Sequence, residues 1–214
     1  VGGSQTCTAA TSPCTVTGLT NGTAYTFTVV ATNAVGDSVA SVASPAVTPA
    51  TVPDAPTSVG GTGGNGYVSV YWVSPSSDGG SAITGYTVTT SGDGGSQTCT
   101  VDSTTDYRLS CDVFGLTNGT AYTFTVVATN AVGGSVASVA SPAVTPATVP
   151  GAPTSVSGVA GDTDVVVSWL APSSDGGSVV TGYTVTASGG GSRTCTAATS
   201  PCTVTGLTSG TSYT

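Results

Sequence analysis

The stretch Gly18–Gly36, GLTNGTAYTFTVVATNAVG, returns without a single change at Gly115–Gly133. A third, shorter copy, GLTSGTSYT, runs from Gly206 to Thr214. Identity over such a distance leaves little choice of architecture: the chain is a tandem array in which each unit must fold in the same way. Cys7, Cys14, Leu19 and Tyr25 each recur 188 residues on, as Cys195, Cys202, Leu207 and Tyr213, whereas the middle copy carries five extra residues between Cys99 and Cys111.

Composition then decides what kind of unit is repeated. Glu, Lys and Met are absent, and only Gln5 and Gln97 and five Leu remain of the usual helix formers. Val and Thr, which suit a pleated surface, dominate, with Gly and Pro to turn the chain. The expectation is an all-β protein. The repeat divides it into residues 1–51, the second half of a unit; 52–148, one whole unit; and 149–214, the first part of another. The junctions PAVTPATVPDAP (Pro45–Pro56) and PAVTPATVPGAP (Pro142–Pro153) carry closely spaced prolines, which hold the backbone extended and predict short, semi-rigid connections.

Within the whole unit, alternation marks the strands. GYVSVYWV (Gly66–Val73) puts Val68, Val70 and Trp72 on one face, and DVVVSWL repeats this with Val165, Val167 and Trp169. AITGYTVTT (Ala82–Thr90) turns Tyr86 and Val88 inward and Thr87 and Thr89 outward. AYTFTVVAT (Ala121–Thr129) does the same with Tyr122, Phe124, Val126 and Ala128. SVASVASPAVT (Ser135–Thr145) reads as the closing strand. About seven short strands separated by turn signals predict a two-sheet sandwich.

These residues resemble a fibronectin type III domain of the kind found in secreted and cell-surface bacterial proteins. The resemblance rests on VPDAPTSV (Val52–Val59), Trp72, GYTV (Gly85–Val88), and the pair Leu116 and Tyr122. It recurs in VPGAPTSV (Val149–Val156), Trp169, Tyr183, and Leu207 with Tyr213, and leaves Leu19 and Tyr25 in the first segment. It implies an immunoglobulin-like sandwich with Trp72, Trp169, Tyr25, Tyr122, Tyr86, Tyr183, Leu19 and Leu116 as structural core. It further implies that Tyr122 returns its hydroxyl to the backbone just upstream, pinning a corner between sheets. The Arg-Gly-Asp tripeptide of some members is absent: Arg108 precedes Leu and Arg193 precedes Thr.

The cysteines are an addition to that pattern. They fall as three close pairs, Cys7/Cys14, Cys99/Cys111 and Cys195/Cys202. One short disulfide per unit is the favoured reading, and it sets the chain in an oxidising, extracellular or cell-surface environment. Free buried thiols and a metal site are the weaker alternatives. The chain has no His, and no Cys-x-x-Cys pair of the kind common in zinc sites.

Little catalytic chemistry is available. Without His the commonest general base is missing. Asp102 and Asp106 lie close together beside Arg108 but read as a solvated turn. Asp78-Gly79-Gly80 and Asp175-Gly176-Gly177 suggest calcium, yet one carboxylate cannot supply a calcium shell. No catalytic residue, metal or cofactor is expected. The net charge of −8, with Arg108 and Arg193 the only cations, excludes nucleic acid as a partner. No apolar run reaches the ~20 residues of a membrane span. Asn21 and Asn118 head Asn-Gly-Thr triplets and are candidate glycosylation acceptors, although Asn-Gly is also a natural tight turn. Thr87, Thr89, Thr123 and Thr125 form an outward, uncharged face suited to lateral packing, sugar attachment or contact with a surface.

Three functions follow as expectations. The first is a non-catalytic structural repeat of an extracellular stalk, adhesin or fibre, a disulfide-stapled rod whose partners are neighbouring repeats and identical chains. The second is a spacer in a secreted polysaccharide-degrading enzyme. The third is weak carbohydrate binding through the outward Tyr67 and Tyr71, a pair that 149–214 does not reproduce. The chain opens inside a repeat and is read as a window on a longer array. Subunits that complete each other's partial domains are the alternative.

Overall fold

The computed structural model describes residues 5–92, 96–103 and 109–214. The strands are β1 (Thr57–Gly63), β2 (Tyr67–Val73), β3 (Gly85–Ser91), β4 (Thr98–Asp102), β5 (Ser110–Phe114) and β6 (Thr123–Thr129), followed by β7 (Thr154–Ala160), β8 (Asp164–Leu170), β9 (Tyr183–Ala187), β10 (Arg193–Ala197) and β11 (Cys202–Thr205). Among the described residues no helix is long and apolar enough to cross a membrane. By packing, the chain divides into two compact units. One comprises Val1–Gly61, Ser69–Val113 and Tyr122–Ala143, and the other Thr62–Val68, Phe114–Ala121 and Val144–Thr214.

β1, β2 and β5 form one sheet in the order β1-β2-β5, and β4, β3 and β6 form another in the order β4-β3-β6. β3 is antiparallel to both neighbours, with Val88 opposite Cys99 on one side and Val126 on the other. Alternation along the strands produces the core. Val68, Val70 and Trp72, Tyr86 and Val88, and Tyr122, Phe124, Val126 and Ala128 are all buried. Side chains one residue out of phase face away from the core.

The later repeat shows the same arrangement in the order β11-β8-β7, with β9 and β10 paired separately. Its core gathers Ala187, Val204 and Leu207, with Val165, Val167, Val185, Cys195 and Tyr213 packed against them. Trp169 is buried, while Val165 and Val167 are half-buried.

The segment expected as the closing strand is built differently. Ser135, Ser138 and Ser141 donate their N–H groups to the carbonyls of Ala128, Val126 and Phe124 at 2.8–2.9 Å. The return bonds come from side chains: the N–H groups of Ala128, Val126 and Phe124 donate to the Oγ atoms of Ser135, Ser138 and Ser141 at 2.9–3.1 Å. Each hydroxyl in turn donates to the carbonyl of Val136, Val139 or Pro142. Three residues of this edge thus answer two of β6, so no regular ladder forms. The first repeat reproduces the device with Ser38, Ser41 and Ser44 against Ala31, Val29 and Phe27.

Candidate functional site

The polar side chains held most firmly lie at the turns. Asn130, at the end of β6, is 4% exposed. Its Oδ1 accepts from Val132 N–H (2.8 Å) and Gly133 N–H (3.1 Å), and its Nδ2 donates to the carbonyls of Thr51 (2.7 Å) and Asp78 (2.8 Å). This one amide ties the strand end, the chain entering the repeat and the Asp78 turn together. It is absent from the sequence-based expectations. The available signal was an Asn ending an otherwise apolar strand in both copies of ATNAVG. Asn33 keeps only the local half of the pattern, accepting from Val35 and Gly36.

The Asp78 and Asp175 carboxylates close their own turns, accepting from Gly80 N–H at 2.8 Å and Gly177 N–H at 2.9 Å. Among the described residues, no group of three or more His, Cys, Asp or Glu could hold a metal ion. Asp102 ends β4 opposite Gly85. Asp106 and Arg108 lie outside the described residues.

The two candidate glycosylation acceptors differ in setting. Asn118 is half-buried; its Oδ1 accepts from Gly66 N–H (2.9 Å) and its Nδ2 donates to Asn65 Oδ1 (2.8 Å). A sugar on that nitrogen would displace the Asn65 bond. Asn21 is exposed.

All three cysteine pairs are bonded as Cys7–Cys14, Cys99–Cys111 and Cys195–Cys202, and no described cysteine is free. Cys99 sits on β4 and Cys111 on β5, so this bridge joins the two sheets.

Trp72 packs on Tyr86 with ring centroids 5.2 Å apart, and Trp169 on Tyr183 at 5.1 Å. Leu116, Tyr122 and Leu207 are buried. Tyr183, Tyr25 and Leu19 are only half-buried, short of the core positions expected for them. The corner bond is nevertheless made, since Thr20 N–H donates to the Tyr25 hydroxyl and Thr208 N–H to the Tyr213 hydroxyl, both at 3.0 Å. The Thr20 amide, being a donor to the phenolic oxygen, lowers the Tyr25 pKa below the ordinary tyrosine range.

The outward threonines fall into cross-strand rows. Thr98, Thr89 and Thr125 align in one, and Thr100, Thr87 and Val127 in the next. Thr123 stands opposite Ser91. Of the outward tyrosines, Tyr71 lies over Gly60, where an added Cβ would come within 2.6 Å of its ring. Tyr67 lies in the same way over Gly64, with Phe114 beside it at 5.4 Å between centroids. These rings cover glycine backbone.

A model of the fibronectin type III domain matches residues 54–144 and again 151–214. Among curated proteins, Exoglucanase B of Cellulomonas fimi is 32% identical over 227 aligned residues, covering 99% of this chain and 20% of the exoglucanase. The chain therefore spans about a fifth of that relative's length. Among solved structures, the chain is similar to a crystal structure of consecutive titin domains (28% identity, TM-score 0.45, 60% of this chain and 42% of that one). It is also similar to the FN1–FN3 domains of chicken CNTN1 (23% identity, TM-score 0.43, 92% of this chain and 70% of that one). With the domain model matched twice in succession, the chain belongs to the fibronectin type III family.

Proposed function

We propose that this chain is a non-catalytic spacer, a run of fibronectin type III domains that holds other parts of a secreted protein at a set separation. The observation that carries the reading is the end-to-end placement of the two matched segments, 54–144 and 151–214. Nothing more than a short connection parts them. The three disulfides support an extracellular setting, because such bonds persist in oxidising compartments. The similarity to an exoglucanase, over a fifth of that enzyme, supports a polysaccharide-degrading protein as the host. Catalysis would then belong to a domain outside these residues.

The near-identity of the repeats favours a second reading, in which the spacer is part of a long stalk, adhesin or fibre. An antibody raised against the chain separates the two. Secreted proteins of the source cells are run on a gel containing glucan, then blotted. A band that both reacts and clears the glucan supports the enzyme spacer. A reactive band that clears nothing and is much larger than an enzyme of ordinary size supports the stalk. Reactivity confined to a cytosolic protein overturns both.

A further inference from the structure

The chain holds three Asn-Gly steps, at Asn21, Asn65 and Asn118. Such a step is chemically labile. The glycine nitrogen, once its proton passes to solvent, can attack the asparagine Cγ, and no Cβ on glycine hinders the approach. A C–N bond forms, the Cγ–Nδ2 bond breaks, and ammonia departs to leave a five-membered succinimide. Water then opens the ring to an aspartyl or isoaspartyl residue. A neutral amide becomes a carboxylate in a chain whose net charge is already −8. Two groups therefore decide the reactivity of each step: the glycine N–H and the asparagine side chain.

At Asn65 and Asn118 both groups of both steps are engaged. Asn118 Oδ1 accepts from Gly66 N–H (2.9 Å), the nucleophile of the Asn65 step. Asn118 Nδ2 donates to Asn65 Oδ1 (2.8 Å), on the carbon to be attacked. The same two bonds hold both ends of the Asn118 amide, and Gly119 N–H, the nucleophile of its step, donates to the Pro146 carbonyl (2.9 Å). All of these residues lie within one compact unit. Asn21, in the other unit, is held less. Gly22 N–H donates to the Pro49 carbonyl (2.9 Å), but the Asn21 side chain is exposed and makes no hydrogen bond among the described residues. In the later repeat Asp162 and Ser209 stand where Asn65 and Asn118 stand, and Ser209 Oγ donates to Asp162 Oδ1 (3.4 Å). The side-chain clasp recurs there with no asparagine in it.

We propose that Asn65 and Asn118 are latent sites of succinimide formation, held unreactive by their mutual amide clasp. Each reacts only after local opening of the bonds it shares with the other. The two are not equivalent. A carboxylate at position 118 has no N–H to donate and faces Asn65 Oδ1 as a second acceptor, so conversion there releases Asn65. A carboxylate at position 65 still accepts from Asn118 Nδ2, as Asp162 accepts from Ser209, so the clasp survives that change.

The folded 214-residue chain and its variants are held in mildly alkaline buffer, then reduced and cut before each aspartate. Fragments 1–36, 54–77 and 112–161 separate Asn21, Asn65 and Asn118, and mass spectrometry counts the exchange of NH for O in each. Asn33 and Asn130 share two of these fragments but precede alanine, whose methyl group hinders attack. Asn118 should convert about 30-fold more slowly than Asn21, the worth of two side-chain hydrogen bonds. Asn65→Ala removes one of them and should speed Asn118 about five-fold. Asn118→Ala removes both and should speed Asn65 about 30-fold. In urea, with GLTNGTAYTF around each, Asn21 and Asn118 should convert at one rate. Equal rates for these two in the folded chain overturn the proposal. So does a difference that persists in urea, and so do variants that leave both rates unchanged.

Discussion

Cys99 on β4 is bonded to Cys111 on β5 with their Cα atoms 6.3 Å apart, and the two strands belong to opposite sheets. The bridge therefore ties the two sheets together and closes a covalent loop with a sequence separation of 12. Replacing both residues, Cys99→Ser with Cys111→Ser, restores that loop's entropy to the unfolded chain and should cost about 3 kcal/mol for a loop of this length. Urea unfolding followed at Trp72, in a Trp169→Phe background, measures it. An unchanged midpoint would mean the bridge constrains nothing.

The serine edge gives a sharper test of local structure. Ser138 is buried and is the acceptor for Val126 N–H, whereas the adjacent Val139 is 89% exposed. Ser138→Ala leaves a buried amide without a partner and should cost about 1–3 kcal/mol. Val139→Ser should stay within ~0.5 kcal/mol. Denaturant midpoints of the two variants compare them. Reversal of that order would remove the hydroxyl ladder from the account.

Trp72 is 4% exposed and its Nε1 has no hydrogen-bond partner among the described residues. Its contribution is therefore packing against Tyr86 and its neighbours. Trp72→Ala should cost roughly 3–5 kcal/mol by leaving a cavity. Trp72→Phe should cost clearly less, because no hydrogen bond is forfeited. Thermal unfolding of both variants reads the difference, and equal losses would point to a polar role for the indole.

Tyr25 should ionise below the ordinary tyrosine range. The Thr20 amide favours the phenolate, so the folded pKa lies below the unfolded one. Between the two values the unfolded chain holds the extra proton, and folding is stabilised as the pH rises through that alkaline window. At neutral pH and below, the shift contributes nothing. Ultraviolet difference titration should show an early tyrosinate component that vanishes in Tyr25→Phe. Its persistence in that variant would assign it elsewhere.

Much of this was legible in the residues themselves. Val68, Val70 and Trp72 alternate because one face of β2 is buried, and the same period placed Tyr86, Val88 and the β6 residues inward. The cysteine pairs followed from their spacing. The closing edge was misread because SVASVASPA is β-prone, while its actual period is three: each serine uses its hydroxyl where a strand would use the next carbonyl. Ser38, Ser41 and Ser44, with the same spacing, carried that signal a second time. Asn130 was missed because its partners, Thr51 and Asp78, are distant in the chain and no local pattern announces them.

The most direct test of the central claim, that these repeats space other domains and perform no chemistry, is an assay of the purified chain on soluble and insoluble β-glucan. The account predicts no release of reducing ends above a heat-treated control, with the chain shown to be folded by its near-ultraviolet circular dichroism. Release that scales with chain concentration and is abolished by heating would contradict it.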